Sequence, residues 1–224
     1  MIFFKKIIIA GFVLFSSSAF SGVGLNQTRI IIDGNENSAS VVARNTDDSP
    51  YLVANYITEL VNAKPVGNDF FIITPQVFKL DANSLNTIKV QAIPGMFPSD
   101  RESMYYFHSR NVPATNGQSG VKVGLENIIK VFYRPAGLTM TSKDAYAALD
   151  IKSDINGIKV INGSPYFINL QKIKINNDAI KLNSDSSIIA PYSEANYMTA
   201  NKSGQATWVV INELGGTDEY SKNF

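Results

Sequence analysis

The chain has 224 residues, with 20 basic and 19 acidic side chains, one histidine and no cysteine. So balanced a charge sets up no field to draw it to nucleic acid or to an anionic membrane, and a lone histidine without cysteine excludes the usual zinc-ligand spacings. No disulfide can staple its domains, which must hold together by their cores.

Residues 1–21 have the layout of a secretory signal. Lys5 and Lys6 open it, an apolar run covers residues 7–15, and an exit of small residues, Phe20 apart, covers 16–21. The run is too short to span a bilayer, and no later apolar stretch is long enough, so no membrane insertion is expected. Ala19 and Ser21 satisfy the small-x-small cleavage rule, which places the cut after Ser21, with Ala19 second. Cleavage removes two lysines and no acid, moving the formal charge from +1 to −1. What remains is long enough for two domains of about 100 residues each. Export points to an oxidising space, the periplasm for a Gram-negative source.

The first domain is predicted over residues 22–140, as short strands with polar turns between them. Residues 25–32 carry Arg29 just before Ile30, Ile31 and Ile32, and Asp33-Gly34-Asn35 makes a turn. Residues 38–44, 51–60 and 70–74 follow, the last stopped by Pro75. Residues 87–93 and 104–110 come next, separated by a Pro/Gly loop at 94–98. The set closes with residues 121–134, VKVGLENIIKVFYR. Here Val121, Val123 and Leu125 point one way, and Lys122, Gly124 and Glu126 the other, the period of two of a half-buried strand. Lys130 then stands among Ile128, Ile129, Val131 and Phe132, with Arg134 on the same face. Two readings stay open for this stretch. It is an edge strand whose lysine blunts aggregation, or a strand kept ready for another chain.

The second domain is predicted over residues 141–224. Strand candidates are 145–151, 158–161, 166–175, 187–190, 196–200 and 206–211, with turn signals at Asn156-Gly157, Asn162-Gly163 and Asn176-Asn177-Asp178. The end beyond Gly215-Gly216 reads as a polar tail. Many short strands and little helical periodicity predict an all-β protein of two immunoglobulin-like sandwiches.

Catalytic chemistry is poorly supplied. His108 lies inside a strand and reads as structural, no G-x-S-x-G elbow accompanies it, and no glycine-rich phosphate loop occurs. No catalytic residue, metal site or cofactor is expected. Trp208, before Val209, Val210 and Ile211, reads as core. The informative residues are charges at apolar positions: Arg29, Glu102, Lys130, Arg134 and Glu213 each lie in or beside a strand, and buried charges need partners.

Several segments together resemble one family. These are LNQTRIIIDG (25–34), FPSDRESMYYF (97–107) followed by NVPA, IIKVFYRPAGL (128–138) and GSPYFINLQKI (163–173). In this order they are similar to the periplasmic chaperones of the chaperone–usher pathway of pilus assembly. The resemblance implies two immunoglobulin-like domains at an angle, with a cleft between them. It implies that Arg29 and Lys130 bind the C-terminal carboxylate of a pilus subunit, and that Val121, Val123 and Leu125 are lent to that subunit as a donor strand. It assigns Glu102 and Arg134 to an interdomain charge network, with Glu213 of N-E-L-G-G where the family usually has aspartate. Pro75-Gln76 stands where the family often has two prolines. The short connection over residues 111–120 resembles the branch that builds rod-like pili. The implied partners are pilin subunits and an outer-membrane usher, with a self-capping dimer when the protein is free. On the residues alone, the competing reading is an exported sandwich that binds sugar or a surface partner by its loops.

Overall fold

The computed structural model describes residues 22–67, 69–114 and 123–224. Among them the chain forms two β-sandwiches, each closed around its own core.

The first sandwich is built from nine strands: β1 (Val23–Leu25), β2 (Arg29–Asp33), β3 (Ser38–Asn45), β4 (Tyr51–Thr58), β5 (Phe71–Thr74), β6 (Val77–Leu80), β7 (Leu85–Ala92), β8 (Ser103–Pro113) and β9 (Leu125–Arg134). They form one sheet in the order β1-β3-β7-β5 and a second in the order β2-β9-β8-β4-β6. Period-two alternation decides which side chains go inside. On β7, Ile88, Val90 and Ala92 are buried while Lys89 and Gln91 face water. Ile30, Ile32, Val41, Val53, Phe107 and Val131 fill the same core.

Residues 25–32, expected as one strand, are two. β1 pairs antiparallel with β3, and β2 pairs parallel with β9 in the other sheet. The switch is fixed at Asn26, whose backbone N–H donates to the Val42 carbonyl (3.0 Å) while its side-chain oxygen accepts from the Val42 N–H (2.8 Å). The second strand then ends at a tight approach. The Gly34 N–H donates to the Arg134 carbonyl (2.7 Å), and a Cβ at Gly34 would lie 2.6 Å from the Ala136 nitrogen. Only glycine fits there. The Thr74–Pro75 peptide is cis.

The second sandwich departs from expectation at both ends. Residues 145–151 do not form one strand, because α1 (Ser142–Ala147) comes first and β10 (Asp150–Asp154) only afterwards. Thr141 caps the helix, its hydroxyl accepting from the Asp144 N–H. Ala145, Tyr146 and Leu149 are buried at helical spacing, a pattern too short to register as periodicity. There follow β11 (Gly157–Asn162), β12 (Ile168–Ile175), β13 (Asp178–Ala179), β14 (Ile188–Ile189), β15 (Ser193–Met198), β16 (Gln205–Ile211) and β17 (Thr217–Asn223). One sheet runs β10-β11-β15 and the other β13-β12-β16-β17, with β14 also on β12.

The expected polar tail is therefore a strand. β17 pairs with β16 along its whole length, setting Tyr220 opposite Trp208. It is held by backbone pairing more than by apolar side chains, so composition disguised it. Trp208 is buried, as read, and its indole N–H donates to the Tyr146 carbonyl (2.9 Å).

Candidate functional site: a cation pair beside an open strand edge

Arg29 begins β2, and Lys130 is its register partner in the parallel pairing with β9. Their side chains thus share one face of the sheet, the face toward the second domain. Each reaches across to that domain: Arg29 Nη1 donates to the Ile211 carbonyl (3.1 Å), and Lys130 Nζ to Asn169 Oδ1 (2.8 Å). Both partners are neutral. Burial lowers the pKa of Arg29, and burial followed by the charge of Arg29 lowers that of Lys130. Arg29 Nε is buried without a hydrogen-bond acceptor. Two half-buried cations thus lie side by side with no carboxylate against either among the described residues, charge left uncompensated.

The three residues of the expected charge network do come together. Arg134 Nη2 lies 2.9 Å from Glu102 Oε1 and 2.5 Å from Glu213 Oε1, and its Nε donates to Glu102 Oε1 at 3.0 Å. Glu102 joins the domains by its backbone too. Its N–H donates to the Pro165 carbonyl (2.8 Å), and its second carboxylate oxygen accepts from the Phe167 N–H (2.9 Å). The Arg134 guanidinium stacks over the Tyr166 ring, and Phe132 meets Phe167 across the junction.

Burial raises the pKa of Glu102, more than Arg134 lowers it. Glu213 is less enclosed. Burial opposes its ionisation, but the neighbouring Ser142 and the charge of Arg134 outweigh that and hold its pKa low. Its loop meets the first domain at Gly215, whose φ of +82° favours glycine and where an added Cβ would lie 2.5 Å from Thr28 Oγ1.

The expected donor residues are partly in view. Val121 lies outside the described residues, and the strand expected from 121 begins at Leu125. Val123 and Leu125 are 70% and 57% exposed, although Leu125 lies on the strand face that carries the buried Val131 and Tyr133. One edge here is open. β8 pairs with Leu125 to Tyr133, whereas β2 pairs only with Lys130 to Arg134. Among the described residues, Leu125 to Ile129 are backbone-paired on one side alone; on the other, the Asn127 side-chain amide donates to the Val23 carbonyl of β1 (2.8 Å).

His108, read from the sequence as structural, lies inside β8. It is buried, stacks on Tyr56 (4.6 Å between ring centroids) and shares a hydrogen bond with Thr58 through Nε2 (2.9 Å), while Nδ1 lies 3.6 Å from Glu126. Burial lowers its pKa despite Glu126. The unfolded chain therefore takes up this proton more readily than the folded one. The stability it contributes is full above about pH 6.5 and is lost as pH falls through the depressed folded value. Glu102 acts in the opposite sense, so the clean comparison is with a variant. Urea midpoints measured from pH 7 to pH 5 should fall more steeply for the parent than for His108→Gln; parallel curves would refute this.

Reasoning from the residues missed the far-domain partners Asn169 and the Ile211 carbonyl, and the ring contacts of Tyr166 and Phe167. A backbone carbonyl carries no sequence signal. The others lie within the GSPYFINLQKI segment, which marked the region without marking the roles.

Known proteins agree with this architecture. Residues 22–139 match the model described as "Pili and flagellar-assembly chaperone, PapD N-terminal domain", and residues 144–222 match "Pili assembly chaperone PapD, C-terminal domain". The chain is 30% identical over 217 residues to the probable fimbrial chaperone protein ElfD of Escherichia coli K12, covering 92% of this chain and 90% of that protein. Among solved structures, the E. coli chaperone DraB superposes with a TM-score of 0.78 at 26% identity, over 92% of this chain and 97% of DraB. The fold is also that of the chaperone SafB, solved in complex with the Salmonella enterica SafA pilin, with a TM-score of 0.78 at 23% identity over 93% and 99% of the two chains. With both of its sandwiches matched in order, this chain belongs to the PapD family of pilus-assembly chaperones.

Proposed function

We propose that this chaperone works in the periplasm, captures pilus subunits by donor-strand complementation, grips their C-terminal carboxylate with Arg29 and Lys130, and hands them to an outer-membrane usher. The carrying observation is a strand edge without a backbone partner among the described residues, which ends at two cations with no carboxylate against them there. A strand added beside Leu125–Ile129 must stop where β2 begins, at Arg29. A terminal carboxylate reaching the cations there belongs to a strand running parallel to β9. Direction, register and stopping point thus follow from one arrangement.

The energies assign the roles. Burying Val121, Val123 and Leu125 in a subunit's groove contributes about 5–9 kcal/mol gross, at roughly 1.5–3 kcal/mol per side chain. Backbone pairing adds about 0.5–1.5 kcal/mol per bond, and association costs take back a large part. The apolar side chains supply most of the affinity. The cations set the register, because a one-residue slip would turn every donor side chain away from the groove. With no subunit at hand, the same edge is open to a second copy of the chain.

Aspartate at both Val123 and Leu125 tests the reading. Both side chains are exposed, so the variant should melt like the parent while pull-down of subunits from periplasmic extract falls to background. Normal recovery by a folded variant would overturn the donor role.

A further inference from the structure

We infer that the cleft holds a second subsite, beside the cations, that selects the side chain of the subunit's last residue. This rests on the carboxylate reading above and goes beyond it. On the same sheet face as Lys130, a depression of about 350 Å³ is bordered by Val61, Tyr106 and Ile128, with Arg29 and Lys130 at one end. That volume falls within the usual range of small ligand sites. Register builds it: Tyr106 pairs with Lys130, and Ile128 stands two residues before Lys130, so all three side chains share a face. Val61 closes the far side from the loop after β4.

The walls are apolar yet open. Val61 is 41% and Ile128 39% exposed, on either side of the tyrosine. Charge complementarity identifies the occupant. A lone apolar molecule would have no use for the cations, and a small inorganic anion none for the walls. A peptide's terminal residue offers both groups, an α-carboxylate and a side chain on the same α-carbon. The subsite therefore takes a C-terminal residue with a branched aliphatic or aromatic side chain and discriminates against glycine.

The test uses twelve-residue peptides of alternating valine and serine, labelled at the amino end, that finish in Gly, Leu or Tyr as free acids or amides. Anisotropy with the intact protein should give the Leu and Tyr acids at least about tenfold tighter binding than the Gly acid, ~1.4 kcal/mol. Val61→Trp fills the depression and Ile128→Ser strips its wall, both at exposed positions. Each should bring that preference within about twofold while leaving the penalty of amidation unchanged, with circular dichroism confirming the fold. Equal binding of the Gly and Leu acids, or a preference that survives both substitutions, overturns the subsite alone. Indifference to amidation overturns the carboxylate reading, and failure of every free acid to bind counts against both.

Discussion

Replacing Lys130 or Arg29 with alanine should leave a folded, thermally stable protein that recovers no subunits. The two side chains repel each other and give up hydration to lie where they do, as their lowered pKa values indicate. Their folded-state bonds, to Asn169 and to the Ile211 carbonyl, repay little of that. Losing either one should therefore cost the protein almost nothing, and losing Lys130 should relieve the burial of Arg29. Loss of a charge-assisted bond of roughly 1.5–3 kcal/mol weakens carboxylate capture about tenfold to a hundredfold. The register fixed by that bond goes with it. Thermal melting and subunit pull-down, run side by side, separate the two effects. Unimpaired recovery by either variant would contradict the assignment, and a large drop in melting temperature would make the residue structural.

Glu102→Ala should be the most damaging single change at the domain junction. Its carboxylate is buried, holds Arg134 through two nitrogens and accepts the Phe167 N–H from the other sandwich. Truncation leaves Arg134 Nε and the Phe167 N–H without their acceptor and Glu213 as the remaining carboxylate on Arg134, a loss that approaches the roughly 3–5 kcal/mol seen on breaking a buried pair from one side. Glu213→Ala should cost far less, because that carboxylate is half-exposed and water can replace it at Arg134. Its effect should fall on domain disposition, widening the small-angle scattering profile without lowering the melting of either sandwich. Glu102→Gln discriminates further. Burial already opposes the charge on Glu102, so a neutral amide that keeps an acceptor should retain more stability than alanine. Equal losses for Glu102→Ala and Glu213→Ala, or an unchanged scattering profile for Glu213→Ala, would sink this account.

Legibility varied with how each element is stabilised. Strands carrying alternating apolar side chains, such as β3, β7 and β9, could be read from their period. β17 could not, since it is held by pairing to β16 and has little apolar signal of its own. α1 was lost because six residues are too few for a helical period, although the Thr141 and Asp144 pair is the cap of such a helix. The split between β1 and β2 is decided by Asn26 bonding to Val42, a contact between chain segments that no local pattern reveals. At the site, charges in apolar surroundings singled out Arg29, Lys130 and Arg134, while their grouping into two centres came from the resemblance. The partners across the cleft stayed hidden, because an asparagine in a strand looks the same whether it faces water or a lysine.

Each of the two cations is tethered to the far sandwich, one through Asn169 and the other through the Ile211 carbonyl. An anion that draws Arg29 and Lys130 together acts on both tethers, so occupancy and domain docking are thermodynamically linked. Whatever factor docking adds to the affinity, occupancy must return to docking. The junction at Glu102 and Arg134 is then part of the binding equilibrium although it touches no ligand. A substitution that spreads the domains should therefore change the affinity for cargo, and a loaded protein should differ from an empty one, by the same factor, in its resistance to spreading.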